Sequence, residues 1–232
     1  MHLPPRAVPP GVPDYLVQTY WWAYVSPKAI RFFERPWLVN LILWGNYRAL
    51  ENAALGALGP DLSGETLQIA CVYGDLSPRL ARALPTDGAL TVVDVVPDQL
   101  ANLERKLPRG HGVSLGLGDS ADLPLAGGRF HRALLFFLLH EQPEAVRRRT
   151  LAEALRVLRP GGRLVIMDYH RPRPWHPLYW PMVAILKTLE PFALDLWRHP
   201  LEHWLPPDVP VRLSRRTRFG GLYQEVVLEK LA

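Results

Sequence analysis

From Glu65 to Tyr169 the chain alternates short β-type runs with helical segments, and no other feature narrows the possible folds as much. Residues 66–72 (TLQIACV), 89–96 (ALTVVDVV), 112–117, 130–139 (FHRALLFFLL) and 163–169 read as strands. Between them, 77–84, 97–107 and 143–158 read as helices, the last with apolar residues at 146, 151, 154, 155 and 158. Parallel strands cannot be joined by a tight turn, so strands separated by helices predict a parallel sheet, doubly wound. The chain closes with 210–218 and 222–229 around Gly220-Gly221, a β-hairpin. The predicted fold is α/β and Rossmann-like, a mostly parallel sheet with a terminal hairpin.

The flanks differ from this middle. Residues 1–13 contain Pro4, Pro5, Pro9, Pro10 and Pro13 and read as an extended, disordered arm. Residues 14–60 read as a helical lid: Asp14 opens one helix, Ser26-Pro27 a second, and Pro36 a third running to about Leu58 before Gly59-Pro60. Residues 61–232 form the sheet domain, with 171–208 as an aromatic, proline-rich insertion. All eight tryptophans lie in the flanks, outside residues 45–174. A hydrophobic content of 48% excludes a wholly disordered chain, and no apolar stretch is long enough to span a bilayer. The proline-rich start does not read as a secretory leader, and the single cysteine, Cys71, fits a reducing compartment as a packing residue.

In a doubly wound sheet, ligands sit at the carboxyl ends of the strands. Asp94 ends the second strand about 20 residues after the first strand-to-helix loop, the spacing a carboxylate needs to bind a ribose diol. A solvated strand-end carboxylate is the alternative. Asp119, in Gly118-Asp119-Ser120-Ala121, is placed to accept from an adenine amino group or to cap its own loop. His140-Glu141 follows the fourth strand, and Asp168-Tyr169-His170 ends the fifth. His140, Glu141 and His170 are candidates for proton transfer, or for helix-entry capping; Asp168 reads as inward-facing. Arg147, Arg148 and Arg149 read as a solvated helix face. The net charge of +5, almost all of its cationic side chains arginine, suits an anionic membrane surface; no motif accompanies it for nucleic acid.

Across residues 66–172 the motifs ACVYGDLS, VVDVVPDQL, GDSADLP and LAEALRVLRPGGRLVIMDYHRP resemble, in order, those of the ubiquinone/menaquinone C-methyltransferases, within the class I S-adenosylmethionine-dependent methyltransferase superfamily. The chain departs from that pattern at Gln68, where the family has an acid, at Val72, where it has glycine, and at Tyr73, where it has a small residue. Valine lacks glycine's backbone freedom, so the methionine-binding end of the site is remodelled while the adenosine end is kept. With YWWAYVSPKAIRFFERPWLVNLILWGNYRAL, LLFFLLHEQPEAVRRRTLAEALRVL and DYHRPRPWHPL, the chain resembles the RquA-type rhodoquinone-biosynthesis proteins.

That resemblance implies conversion of ubiquinone to rhodoquinone, with an amino group replacing a ring methoxy group, S-adenosyl-L-methionine as amino donor, and manganese as the favoured metal. It implies cofactor binding by Val72, Tyr73, Gly74, Asp94, Val95, Asp119, Ser120 and Ala121. Tyr20, Trp21, Trp22 and Tyr24, as an aromatic lid over a flat quinone, with Tyr20 and Trp21 foremost, and Tyr169, towards a quinone oxygen, are substrate candidates; each also reads as core. The expected partner is a polyprenyl quinone reached at the cytoplasmic side of the inner membrane by a peripheral enzyme. Methylation of a quinone or phenol, and a non-catalytic cofactor- or quinone-binding protein, are the alternatives.

Overall fold

The computed structural model describes residues 11–25, 27–71, 73–108 and 112–232. The proline-rich residues 1–10, the Ser26 cap and Val72 lie outside them. The β-type runs become β1 (Gly64–Ile69), β2 (Gly88–Asp94), β3 (Val113–Leu117), β4 (Phe130–Phe136) and β5 (Leu158–Tyr169). The terminal hairpin supplies β6 (Val211–Arg218) and β7 (Tyr223–Lys230). All seven form one sheet in the order β3-β2-β1-β4-β5-β7-β6, all codirectional except β7, which runs antiparallel to both of its neighbours. This is a Rossmann-like, mostly parallel sheet ending in a hairpin, as the alternation and the terminal hairpin predict.

Helices α5 (Leu76–Ala83), α6 (Pro97–Glu104) and α7 (Glu144–Val157) make the crossovers. Leu67, Val92, Leu134 and Ile166 are buried in the central strands, because helices cover both faces. Strand β5 starts earlier than residue 163. Leu158 pairs with Phe130 before a register shift, so the Pro160-Gly161-Gly162 turn becomes part of the strand edge.

The N-terminal segment folds as α1 (Asp14–Tyr20), a π-turn (Trp21–Val25), α2 (Pro27–Phe33), α3 (Pro36–Ile42) and α4 (Tyr47–Ala57). The single helix expected from Pro36 to Leu58 is therefore two. Trp44 and Gly45 both take positive φ, 52° and 78°, and end α3. Asn40 Oδ1 then accepts from the Tyr47 amide at 3.3 Å and starts α4. The insertion carries α8 (Tyr179–Leu189) and α9 (Asp195–Arg198). Met182 and Leu186 of α8 share one core cluster with Leu43, Tyr47 and Tyr169, so the lid and the insertion meet above the strand ends.

The arginine run is not a uniform solvated face. Arg149 is exposed, but Arg147 is fully buried. Its guanidinium donates to the carbonyls of Leu139, Gln142 and Phe192 at 2.9, 2.9 and 3.0 Å and lies 4.5 Å from the Trp204 ring. It ties α7 to the insertion.

Candidate active site

Strand order reverses between β1 and β4, which opens a crevice at their carboxyl ends. A cavity of about 490 Å³ occupies that crevice, within the roughly 300–1,000 Å³ of small-molecule sites. Its floor is the strand ends; its walls are the lid and α8.

Asp94 stands on the floor, buried at the end of β2. Its Oδ2 accepts from the Cys71 amide at 2.8 Å and the Cys71 thiol at 3.2 Å, and its Oδ1 from the Val96 amide at 2.8 Å. Burial raises its pKa above the ordinary carboxylate value, against the hydrogen bonds from Val96 and Cys71. Val95 lines the cavity beside it, and Asp119 does so opposite, its Oδ1 accepting from the Ala121 amide at 2.8 Å. Ser120 also lines the cavity, but its hydroxyl lies 2.9 Å from Thr150 Oγ1 and receives Gln142 Nε2 at 2.9 Å. Ala121 is buried behind this loop.

The first loop is held from above by the lid. Ala70 already has a φ of 66°, a conformation that favours glycine. The Tyr73 hydroxyl donates to the Ala23 carbonyl and accepts from Gln99 Nε2 at 3.1 Å, while its ring stacks on Phe33. Tyr47 Oη donates to the Tyr73 carbonyl at 3.1 Å and accepts from the Asp75 amide at 3.0 Å. Gly74 donates its amide to Glu34 Oε1 at 3.3 Å, and its carbonyl receives Lys106 Nζ at 2.9 Å. Gly74 sits at φ 89°, and a Cβ there would lie 2.1 Å from Tyr47 Oη. The cavity therefore has two different ends: one with the strand-end carboxylates Asp94 and Asp119, and one with a loop whose polar groups are engaged by lid residues.

The other end of the cavity holds titratable groups. His140 is 4% exposed, on the short turn Leu139–Glu141. Its Nδ1 lies 3.0 Å from Asp168 Oδ1, and its Nε2 3.8 Å from Glu141 Oε1. Asp168 Oδ2 also accepts from the Leu139 and His140 amides, at 2.9 and 3.3 Å, so it holds both the turn and the ring. Burial would lower the His140 pKa, but Asp168, then Glu190 and Glu141, push it up to about 9. The ring is held edge-on against Tyr169, at 4.8 Å between centroids, and Phe137, at 6.0 Å.

Asp168 is thus the positioning partner of His140 rather than a strand-interior bystander. Glu190, which follows α8, also lines the cavity; burial raises its pKa while His140 and Tyr20 lower it. Nothing in its sequence context marks it. Tyr15, likewise unmarked, faces the same end, where burial and the carboxylates of Glu141 and Asp119 keep its phenol protonated.

Other expected site residues lie elsewhere. His170 does not line the cavity: its Nδ1 lies 2.8 Å from the Gly221 carbonyl, in a separate depression beside the hairpin turn. Tyr20 is completely buried with Val12, Leu16 and Val96, and Trp21 packs against that cluster. Of that aromatic run the helical phase brings Trp22 to the cavity, together with Tyr15, while the Tyr24 side chain lies outside the described residues. Tyr169 lines it, as expected. Among the described residues no group of three or more His, Cys, Asp or Glu side chains is arranged to hold a metal ion, so the manganese expectation finds no donor set there.

A methyltransferase-domain family model matches residues 66–162. An uncharacterized methyltransferase of Synechocystis is 30% identical over 173 residues, spanning 72% of this chain and 74% of that protein. A demethylmenaquinone methyltransferase of Tropheryma whipplei is 29% identical over 164 residues, spanning 67% of this chain and 66% of its own length. In solved structures, a SAM-dependent methyltransferase from Aquifex aeolicus covers 89% of the chain and 99% of its own, with a TM-score of 0.57 at 19% identity.

Proposed function

The chain belongs to the class I S-adenosylmethionine-dependent methyltransferases, and from that premise we propose that it modifies a polyprenylated benzoquinone. The reading is conversion of ubiquinone to rhodoquinone, with an amino group replacing a ring methoxy group. Its similarity to a demethylmenaquinone methyltransferase supports the substrate class. The observation that carries the altered reaction is the first loop, where Tyr73 and Gly74 are bonded to Ala23, Glu34 and Tyr47 of the lid. A site that keeps its adenosine carboxylate but rebuilds this loop presents the amino-acid end of its cosubstrate differently.

S-adenosylmethionine, when bound, would supply an amine nitrogen for this exchange. The ring C–N bond would form as the methoxy group leaves as methanol, the quinone ring would take up the two electrons of the donor's Cα–H bond, and water would then release the aminoquinol and a 2-oxo acid. Asp94 and Asp119 hold its adenosine. His140, charged at neutral pH, donates to the ring oxygen that gains negative charge as the ring carbon is attacked. The base role expected of it passes to Glu190, whose Oε2 is buried with no hydrogen-bond partner among the described residues and whose pKa is raised. Phe136, Phe137 and Tyr169 exclude water from that end.

Quinone methylation is the second reading, favoured by the name of the Tropheryma relative. The deciding experiment incubates the protein with ubiquinone and S-adenosylmethionine carrying heavy nitrogen at the α-amino position or heavy carbon in the methyl group. Heavy nitrogen in an aminoquinone is the expected result. A methyl-labelled quinone with S-adenosylhomocysteine would overturn it, and binding of both molecules without turnover would leave a non-catalytic protein.

A further inference from the structure

Six residues both line the cavity and stand in solvent: Trp22 (45% exposed), Leu41 (64%), Ile42 (45%), Trp44 (37%), Ile185 (37%) and Leu189 (47%). They come from two separate segments, the lid and α8, which meet where Trp44 Nε1 donates to Met182 Sδ at 3.2 Å. The mouth of the cavity is therefore an apolar rim. Scattered exposed leucines need no explanation, but a continuous apolar ring around a binding site marks a partner or a membrane.

The charge around the rim distinguishes the two. Residues 35–50 and 171–189, which carry most of it, contain Arg35, Arg48, Arg171, Arg173 and Lys187; Arg48 is ion-paired with Glu51 and Asp75, so the excess positive charge comes from Arg35 and, on the α8 side, from Arg171, Arg173 and Lys187. Next to the start of α8, His170, Arg171, Arg173 and His176 line a depression with no acidic side chain, and Arg171 Nη2 reaches the Tyr179 hydroxyl at 3.4 Å. Trp175, 76% exposed beneath the Arg173 guanidinium, and Trp180, 73% exposed, flank it. A second copy of the chain would bring one such cationic face against another, which like charges oppose. Anionic lipid matches both components, with aromatic and aliphatic side chains at the headgroup level and cations on the phosphates.

We infer that this face docks on an anionic phospholipid bilayer, with the rim at the boundary between headgroups and acyl chains, so that the cavity opens into lipid. Among the described residues no helix is long and apolar enough to cross a membrane, so the contact is peripheral. A substrate with an apolar tail then enters sideways without crossing water. This docking does not depend on which group is transferred to the ring.

The test uses the full chain and sedimentable vesicles of phosphatidylcholine, with or without phosphatidylglycerol, and no quinone. Co-sedimentation with the mixed vesicles, weakened by salt and by omission of phosphatidylglycerol, is expected. Leu41→Ser with Ile185→Ser should lower the partition coefficient by roughly tenfold or more. Arg171→Gln with Arg173→Gln should lower it by about tenfold on anionic vesicles only. A thermal melt checks that each double variant is folded. The inference is overturned if the wild type stays in the supernatant with every vesicle, or if both folded variants sediment like wild type. It is also overturned if light scattering finds a dimer that the Leu41/Ile185 variant dissociates while neither protein binds vesicles. Because no quinone is present, these outcomes are independent of the labelling experiment.

Discussion

His140 and Asp168 are joined by a 3.0 Å contact between Nδ1 and Oδ1, and the same carboxylate accepts both amides of the turn that carries the histidine. The ring and its carboxylate are therefore fixed by one local arrangement. The carboxylate cannot rotate away without releasing the Leu139 and His140 amides, so the imidazole keeps one orientation towards the cavity.

This pair sets a pH dependence. The folded-state pKa of His140 is raised above the ordinary 6.5, to about 9. Its charge therefore stabilises the fold in full below about 6.5, and that contribution disappears as pH rises through about 9. Activity that needs the charged ring should fall on the same alkaline limb. Asp168→Asn should move that limb down by about 1–3 pH units. A pH–rate profile, with NMR titration of the ring, reads both; an unmoved limb in the variant contradicts the assignment.

Asp94 lines the cavity floor while donors from Cys71, Val95 and Val96 hold it in place. Asp94→Asn should weaken binding of S-adenosylmethionine by about 10- to 100-fold, the worth of a hydrogen bond to a charged group. Isothermal titration calorimetry measures it. Equal affinity in the variant would place the ribose elsewhere.

Gly74 and Tyr47 cannot both carry more atoms. A Cβ at Gly74 meets Tyr47 Oη at 2.1 Å, and a φ of 89° opposes any side chain. Gly74→Ala should cost about 2–4 kcal/mol in urea unfolding. Adding Tyr47→Phe removes the colliding oxygen, so the double variant should lose less than the sum of the single variants. Strict additivity would show that the two positions do not touch.

Arg147 and Arg149 are two residues apart and should behave oppositely. Arg147→Ala leaves three carbonyls without their donor and uncovers the Trp204 ring, at a cost of about 3–4 kcal/mol. Arg149→Ala, on an exposed position, should stay within about 0.5 kcal/mol. Chemical denaturation of the two variants side by side distinguishes them.

The central strands β1, β2, β4 and β5 were legible because burial on both faces demands nearly continuous apolar runs, whereas β3 and β6 are half-exposed and read less clearly. The helix break at Trp44–Gly45 was less legible: the apolar run continues through it, and only Gly45-Asn46 hints at a left-handed cap. Arg147 misled because a run of three arginines has one composition and two environments; the carbonyls that hold it come from residues 139, 142 and 192. Asp94 and Asp119 were readable from strand ends and loop spacing. Glu190 and Tyr15 were not, since each reaches the cavity only through the packing of a flanking segment on the strand ends. Trp22 reaches the cavity while Tyr20 and Trp21 pack in the cluster behind it, a difference the aromatic run alone does not encode because it does not set the rotation of the helix.

The bonds from Ala23, Glu34 and Tyr47 to residues 73–75 make the lid and the first loop one inheritable unit. A relative given only valine and tyrosine at the two loop positions would acquire a bulky side chain with no carbonyl to receive its hydroxyl and no phenol to support the following peptide. The bonded residues stand 26 to 50 positions apart in sequence, so the shape of this loop is fixed only once a segment well upstream has folded against it.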